Sequence, residues 1–147
     1  MNTVIHARVE RLRAGSDPTL VARLPSGWAV FGEQQFLRGY CLLLPDPVVP
    51  HLNALAGAVR GQFLLDMGRM GDALLACTSA VRVNYAVFGN QDPALHGHVV
   101  PRYATEPLPQ RTAHPWTYDW TLAGAFDATA MAGLREQLAA ALTKDQR

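Results

Sequence analysis

A long stretch of helical periodicity across residues 54–78 is the feature that most constrains how this chain folds. Its apolar side chains recur at steps of three and four residues, which places them along one face of a helix. These side chains are Val59, Phe63, Met67, Met70, Leu74 and Cys77. One long amphipathic helix is therefore predicted in the middle of the chain.

Short apolar runs on both sides of this helix are predicted to be strands. Residues 20–24 and 28–31 indicate two strands joined by a Pro-Ser-Gly turn, and residues 38–44 a third that ends at two prolines. After the helix, residues 82–88 and 95–100 are predicted to pair as a hairpin. The strands come as antiparallel neighbours, and one main helix crosses between the third and the fourth. This order predicts an α+β fold with an antiparallel sheet of about five strands.

Both ends of the chain are predicted to be helical. Residues 3–14 carry spaced apolar side chains before Gly15 and indicate a surface helix. A second helix is predicted to begin near Asp127. Between residues 101 and 120 the chain is rich in proline and aromatic residues, which favours an ordered, extended arm that packs onto the domain. A lid over a ligand, made by His114, Trp116 and Trp120, is the alternative for this arm.

The composition indicates one globular domain spanning residues 1–147. The chain is 49% hydrophobic and 17% charged, and its apolar runs are far too short to cross a bilayer. Its net charge of +1 gives no general attraction to nucleic acid or to an anionic membrane. No export signal is visible near the N-terminus, so we expect a cytoplasmic protein that binds neither nucleic acid nor membrane.

Two histidines one residue apart, His96 and His98, carry the main functional signal. Side chains at this spacing in a strand point to the same side, with Cβ atoms roughly 7 Å apart. One neutral imidazole can then attack a phosphorus atom while the other hydrogen-bonds the leaving oxygen, and Arg102 supplies nearby positive charge. The attacking ring needs its second nitrogen to donate to a backbone carbonyl or a similar acceptor.

The surrounding sequence resembles the histidine triad family of nucleotide hydrolases and transferases. The signature of that family is His-φ-His-φ-His-φ-φ, where φ is apolar, and it is often continued by Pro-Arg. Residues 95–102, Leu-His-Gly-His-Val-Val-Pro-Arg, are similar to the second and third histidines and to that continuation. The resemblance extends to the strand and Gly-Asn turn at residues 84–90 and to the run at residues 38–44, so it covers most of the chain.

The resemblance implies an enzyme that cleaves a nucleoside phosphate anhydride, ester or phosphoramidate at the α-phosphorus. His96 would be the nucleophile that forms a nucleotidyl-histidine intermediate, and His98 would bind the phosphate or the leaving group. Asn90 would donate its amide to a phosphate oxygen, and Arg102 and Arg111 are candidate phosphate contacts. The resemblance also implies a purine nucleotide ligand, a homodimer, and no cofactor or metal, with apolar residues between 24 and 44 lining the base pocket.

One departure from the signature is that Ala94 stands where the family has its first histidine. Alanine neither donates nor accepts through its side chain, so space is expected to open beside His96 and one hydrogen-bonding partner to be lost. His51 and His114 are the candidates to fill this gap. The departure makes a nucleotide-binding module without turnover the main alternative to an enzyme.

A zinc-binding hydrolase is a further alternative. A His-x-His pair on a strand supplies two ligands of a tetrahedral site, which His51, His114 or Asp92 would have to complete. Cys41 and Cys77 lack the close spacing of a zinc or redox motif. The remaining ligands would therefore have to come from distant parts of the chain.

Overall fold

A computed structural model describes residues 2–144 of the protein. In chain order the helices and strands are α1 (Val4–Arg13), β1 (Leu20–Leu24), β2 (Gly27–Phe31), β3 (Cys41–Pro45), α2 (Gly57–Cys77), β4 (Arg82–Ala86), β5 (Gly97–Arg102) and α3 (Ala128–Lys144). Short 3-10 turns lie at Leu52–Ala54 before α2, and at Gln110–Thr112, Pro115–Thr117 and Trp120–Leu122 before α3.

The five strands form an antiparallel sheet in the order β1-β2-β3-β5-β4. The chain builds β1, β2 and β3 as consecutive neighbours, and α2 then carries it to the edge strand β4. β5 returns between β4 and β3, so the last two strands pair as a hairpin. The predicted α+β class, the five-stranded antiparallel sheet and the single long helix between the third and fourth strands are confirmed.

The sheet separates two apolar clusters. On one face α2 and α3 pack over side chains that include Phe31 and Val99. On the other face α1 and aromatic residues from the segment before α3 pack over Val30 and Val100. Because neighbouring strand residues alternate between faces, His98 points to the side of α1, which we call the histidine face.

Gly97 lies between the two histidines and faces the opposite way, onto α2. A Cβ atom built at this position would lie 2.7 Å from the sulfur of Met67, closer than real Cβ contacts allow. Met67 therefore packs directly against the backbone of β5. A glycine at this position allows α2 to lie close beneath the segment that carries the histidines.

The segment between β4 and β5 is held at two points. The N–H of Leu95 donates to the carbonyl oxygen of Val49 over 2.7 Å, and the Leu95 side chain is buried. Asp92 accepts a hydrogen bond of 3.2 Å from the N–H of Ile5, in the first turn of α1, where free N–H groups and the helix dipole favour a carboxylate. These contacts fix the backbone that carries His96.

Several predicted boundaries differ from the structure. β3 begins at Cys41 because Gly39 adopts a φ of +97° and its N–H donates to the side chain of Gln35. β5 begins at Gly97, so His96 lies just before the strand. The predicted surface helix α1 has a buried face, which consists of Ile5, Arg8, Val9 and Leu12. No helix within residues 2–144 has the length and apolar character needed to cross a membrane.

The segment between β5 and α3, residues 103–127, is an arm that folds over the histidine face. Trp116, Tyr118 and Trp120 join the apolar cluster there, as expected for an arm that packs onto the domain. Its backbone makes three 3-10 turns, which departs from the predicted extended conformation. The arm therefore forms part of the wall around the histidines.

Candidate active site

His96 and His98 lie side by side on the histidine face. Their ring centroids are 5.0 Å apart and their ring planes meet at 71°. Both side chains are partly buried. The two imidazoles therefore reach the same small volume, although only His98 belongs to β5.

The hydrogen bond made by His96 fixes which ring nitrogen carries the proton. Nδ1 lies 2.7 Å from the carbonyl oxygen of Ala94. Because a carbonyl oxygen only accepts, Nδ1 must carry the hydrogen and donate it. In the neutral ring the lone pair then lies on Nε2, as a nucleophile requires. The hydrogen bond from the Leu95 N–H to the Val49 carbonyl fixes the adjoining backbone and so keeps the Ala94 carbonyl in place.

His98 is hydrogen-bonded to Tyr40, which directly precedes β3. Its Nδ1 lies 2.6 Å from the Tyr40 hydroxyl, and the two rings are nearly parallel, with centroids 6.0 Å apart. Tyr40 is only 4% exposed, and burial raises its pKa above that of an ordinary phenol, so it keeps its proton at neutral pH. A buried hydroxyl without an acceptor costs about 1–3 kcal/mol. Tyr40 therefore donates to Nδ1, which leaves the hydrogen of neutral His98 on Nε2.

Burial keeps His98 uncharged. Desolvation, with a smaller contribution from the neighbouring His96, lowers the pKa of His98 to about 4. The rings of Trp116 and Phe88 cover it, with centroids 5.0 Å and 5.9 Å from that of His98. When both rings are neutral, the pair therefore offers a bare nitrogen on His96 and an N–H donor on His98.

A small cavity adjoins His96. Its volume is about 220 Å³, whereas cavities that hold whole ligands usually measure about 300–1,000 Å³. His51 and Phe88 are among the residues that line it. The cavity is therefore smaller than one that would enclose a whole nucleotide.

Ala94 does not open space beside His96, which corrects the expectation from the sequence. Its side chain is fully buried in the apolar cluster on the histidine face, together with Ile5 and Val9 of α1. The neighbours have filled the volume, and the residue serves His96 through its backbone carbonyl. His51 and His114 were the candidates to replace the missing histidine, and of these His51 lines the cavity at His96.

Arg102 is buried and its guanidinium group is fully hydrogen-bonded within the chain. Nε and one terminal nitrogen donate to the carboxylate of Glu106 over 3.0–3.2 Å. The other N–H groups donate to Asn84 Oδ1 and to the carbonyl oxygens of Gln110 and Ala113 over 2.7–2.8 Å. All five N–H groups of an arginine are thereby used. This arrangement departs from the expected phosphate contact, and Arg102 instead ties the arm to β5.

Asn90 is exposed in the turn between β4 and β5, and its contact with a phosphate stays a prediction. Val30 and Leu42, from the segment expected to line a base pocket, are buried beneath α1. Asp92, a candidate zinc ligand, binds the N-terminus of α1. Across residues 2–144 no group of three or more His, Cys, Asp or Glu side chains is arranged to hold a metal ion.

Solved structures of histidine triad proteins share this arrangement of strands and helices. A histidine triad protein from Bradyrhizobium japonicum is 22% identical over 88% of this chain and 94% of its own, with a TM-score of 0.71. A hypothetical histidine triad nucleotide-binding protein from Sulfolobus tokodaii is 10% identical over 96% of this chain and 94% of its own, with a TM-score of 0.74. A zinc-bound histidine triad family protein from Mycobacterium smegmatis is 18% identical over 92% and 91%, with a TM-score of 0.67.

The chain has the histidine triad fold, as the likeness to these structures shows. No protein-family model matches the sequence, and no curated protein matches it. The resemblance deduced from the histidine segment and the three-dimensional likeness therefore point to the same fold. The identities are low enough that residue roles have to be argued from the geometry of this chain.

Sequence reasoning missed two residues of the site, Tyr40 and Phe88, whereas Trp116 was already a candidate for a lid over a ligand and covers His98 in the structure. Tyr40 belonged to a segment used for the family resemblance, but nothing local indicates that it reaches His98, which lies 58 residues away. Trp116 and Phe88 contact each other with ring centroids 4.8 Å apart, and both contact His98. The aromatic content of the arm was the available signal for Trp116.

Proposed function

We propose that residues 1–147 form a nucleotide-binding domain that acts as a hydrolase or nucleotidyltransferase. The substrate is a nucleoside phosphate ester, anhydride or phosphoramidate, with a purine base, and it is cleaved at the α-phosphorus through a nucleotidyl-His96 intermediate. The observation that carries the proposal is the pair of hydrogen bonds that set the histidine protons, from His96 to the Ala94 carbonyl and from Tyr40 to His98. A protein that only binds a nucleotide does not need the proton of either histidine to be fixed on one particular ring nitrogen.

The bonding changes follow from these protonation states. The Nε2 lone pair of His96 forms a bond to the α-phosphorus, and the bond from phosphorus to the leaving group breaks, with its electron pair going to the leaving atom. Nδ1 keeps its hydrogen, and the Ala94 carbonyl stabilises the positive charge that develops on the ring. Water or another acceptor then attacks phosphorus, the electron pair of the P–N bond returns to Nε2, and the proton of the acceptor passes to solvent.

His98 supports this reaction as a hydrogen-bond donor. Its Nε2–H is available to a phosphate oxygen or to the leaving oxygen, where negative charge increases in the transition state. Asn90, whose amide has two N–H groups, is proposed as a second donor. The reaction proposed here requires no cofactor, and we expect it to take place in the cytoplasm without nucleic acid or membrane partners.

A nucleotide-binding module without turnover is the second candidate, favoured by the small cavity of about 220 Å³ and by the aromatic cover over His98. Incubation with a labelled nucleoside phosphoramidate or dinucleoside polyphosphate, followed by mass spectrometry of the intact protein, distinguishes the two. A nucleotidyl adduct or released product supports the enzyme. Nucleotide binding that yields neither adduct nor product supports the module.

Replacing Tyr40 with phenylalanine is expected to lower kcat about tenfold or more, because it removes the donor that fixes the His98 proton on Nε2. Nitrogen NMR of the imidazole should show a protonated Nε2 in the wild type and a mixture of tautomers in Y40F. Tyr85→Phe is the matched control, since Tyr85 faces α2 at Gly71. An unchanged His98 spectrum in Y40F would show that Tyr40 does not position the ring.

A homodimer is also proposed, through α2 and the edge strand β4. Leu64 of α2 and Tyr85 of β4 line the same pocket, and both are exposed apolar side chains, as are Leu65 and Leu75 of α2. Leu64→Glu is expected to shift the protein from dimer to monomer in sedimentation velocity, because it places a charge in an apolar contact. Leu122→Glu, in the exposed arm, should leave the sedimentation coefficient as it is. A wild type that sediments as a monomer at all concentrations contradicts the proposal.

A further inference from the structure

His51 lies beside the cavity at His96, in a segment that the fold ties to the histidine loop. It stands two residues after Val49, whose carbonyl oxygen accepts from the N–H of Leu95 over 2.7 Å. The carbonyl oxygen of His51 itself accepts from the N–H of Ala54 over 3.0 Å, in the 3-10 turn before α2. The backbone that carries His51 is therefore fixed relative to the backbone that carries His96.

The imidazole of His51 has no other task in the fold. His51 is exposed, and its side chain has no hydrogen-bond or ion-pair partner within residues 2–144. Among the residues that line the cavity, only His51 and His96 carry titratable side chains. Arg60 of α2 is a charged group at the same turn, and it donates to the carbonyl oxygens of Asn53 and Leu55 over 3.5 and 3.0 Å. His51 is therefore the group here that can exchange a proton with a bound substrate while His96 acts as nucleophile.

The cavity has the size of a reacting phosphoryl group. Its volume of about 220 Å³ corresponds to roughly seven water molecules at about 30 Å³ each, whereas a phosphoryl group with its leaving atom has about five heavy atoms. Neither His51 nor His96 lines the apolar pocket at Leu64 and Tyr85 through which the dimer is proposed. The space between the two histidines is therefore distinct from the proposed dimer contact.

The geometry of displacement at phosphorus requires a proton donor away from the nucleophile. In an in-line displacement the leaving atom departs on the side of phosphorus opposite to the attacking atom. His98 lies beside His96, with ring centroids 5.0 Å apart, and it does not line the cavity. His98 is therefore better placed for a non-bridging phosphate oxygen, and His51 for the leaving atom.

The histidine segment lacks a second group that can give up a proton. Burial lowers the pKa of His98 to about 4, so at neutral pH this ring donates a hydrogen bond and keeps its proton. Ala94 has no titratable side chain. An amine must be protonated to leave phosphorus, and histidine is the side chain that ordinarily exchanges a proton near neutral pH.

We propose that His51 is the general acid that protonates the leaving group and the general base that deprotonates the acceptor. In the first step Nε2 of His96 bonds to phosphorus, the bond from phosphorus to the leaving atom breaks with its electron pair going to that atom, and the atom takes a proton from the protonated ring of His51. In the second step neutral His51 takes a proton from the attacking water, and the electron pair of the P–N bond returns to Nε2 of His96. The inference rests on the function proposed above and adds a catalytic residue to it.

Two substrates with different leaving groups test this role in the full chain. Adenosine phosphoramidate releases ammonia, which needs a proton, and the nitrophenyl ester of AMP releases nitrophenolate, which does not. In H51Q, kcat/KM for the phosphoramidate is expected to fall at least about a hundredfold, and kcat/KM for the ester should stay within about threefold of the wild type. The retained ester reaction also shows that H51Q is folded. His6→Gln is the matched control and should react with both substrates as the wild type does.

The pH dependence is a second readout. The phosphoramidate reaction requires a protonated His51, so its kcat/KM in the wild type should fall as the pH rises above neutrality. H51Q should lack this alkaline decline, and the ester should show it in neither protein. An alkaline decline that persists in H51Q, or a loss of phosphoramidate activity in H114Q instead of H51Q, would overturn the role of His51.

Adduct formation on His96 separates this inference from the proposed function. If the wild type forms the adduct with both substrates and H51Q does so at wild-type rates, the role of His51 fails and the proposed function stands. If the wild type forms the adduct with neither substrate, the proposed function fails and the role of His51 fails with it.

Discussion

Replacing His96 with alanine is expected to abolish the nucleotidyl adduct and to lower turnover by at least about a thousandfold, since it removes the attacking nitrogen. The remaining site still contains His98 with its N–H donor, so nucleotide binding should change far less than turnover. Rapid mixing with a labelled dinucleoside polyphosphate, quenching in base and mass spectrometry of the intact protein measure the adduct directly. The phosphorus–nitrogen bond of such an adduct is acid-labile, so acid treatment should release the label.

The matched control for His96→Ala is His6→Gln. His6 takes part in the capping box of α1 with Thr3, and glutamine is a residue that fills this capping position well. H6Q is therefore expected to form the adduct at the wild-type rate. An adduct that persists in H96A and disappears in H98A would reverse the roles of the two histidines.

Replacing Glu106 with glutamine is expected to lower the free energy of unfolding by about 3 kcal/mol, because it leaves the buried guanidinium of Arg102 without its counter-ion. The Glu106 carboxylate also accepts from the Tyr118 hydroxyl and from the backbone N–H of Tyr103 over 2.6–2.7 Å. Urea unfolding at pH 7, followed by circular dichroism, measures the loss. Glu136→Gln on the exposed side of α3 is the control and should change the free energy by less than about 0.5 kcal/mol.

The same variant tests whether Arg102 holds the arm or binds substrate phosphate. If Arg102 is a phosphate ligand, E106Q should leave stability near that of the wild type, and R102M should weaken nucleotide binding without unfolding the arm. If the ion pair holds the arm, the double variant R102M/E106L should be less destabilised than the sum of the single variants. The second pattern is the one expected from the hydrogen bonds of Arg102.

The pH dependence of stability follows from the pKa of Glu106. Burial by itself raises that pKa, but the hydrogen bonds from Arg102, Tyr118 and the Tyr103 N–H outweigh it and hold the net value below the ordinary one. Glu106 therefore contributes stability above its unfolded pKa of about 4.3, and this contribution is lost as the pH falls through the lower folded value. E106Q should show a shallower loss of stability below about pH 4.

Local periodicity predicted most elements of the fold because each signal lies within a short stretch of sequence. The spacing of Phe63, Met67, Met70 and Leu74 predicted α2, and prolines and glycines marked the turns between strands. The boundaries of β3 and β5 were wrong by a few residues. Those ends depend on hydrogen bonds such as Gly39 N–H to Gln35, which no propensity or periodicity specifies.

The candidate site likewise has features that the sequence predicted and features that only the tertiary structure decided. The sequence by itself determined the element order and the pair His96 and His98, because a period of two residues and a recognisable motif are local properties. The tertiary structure alone decided that Tyr40 donates to His98, that the neighbours of Ala94 leave no gap, and that Arg102 is occupied by Glu106 and the arm. These features depend on which surfaces pack together and on which buried polar groups find hydrogen-bond partners. Both are determined by residues that lie far apart in the chain.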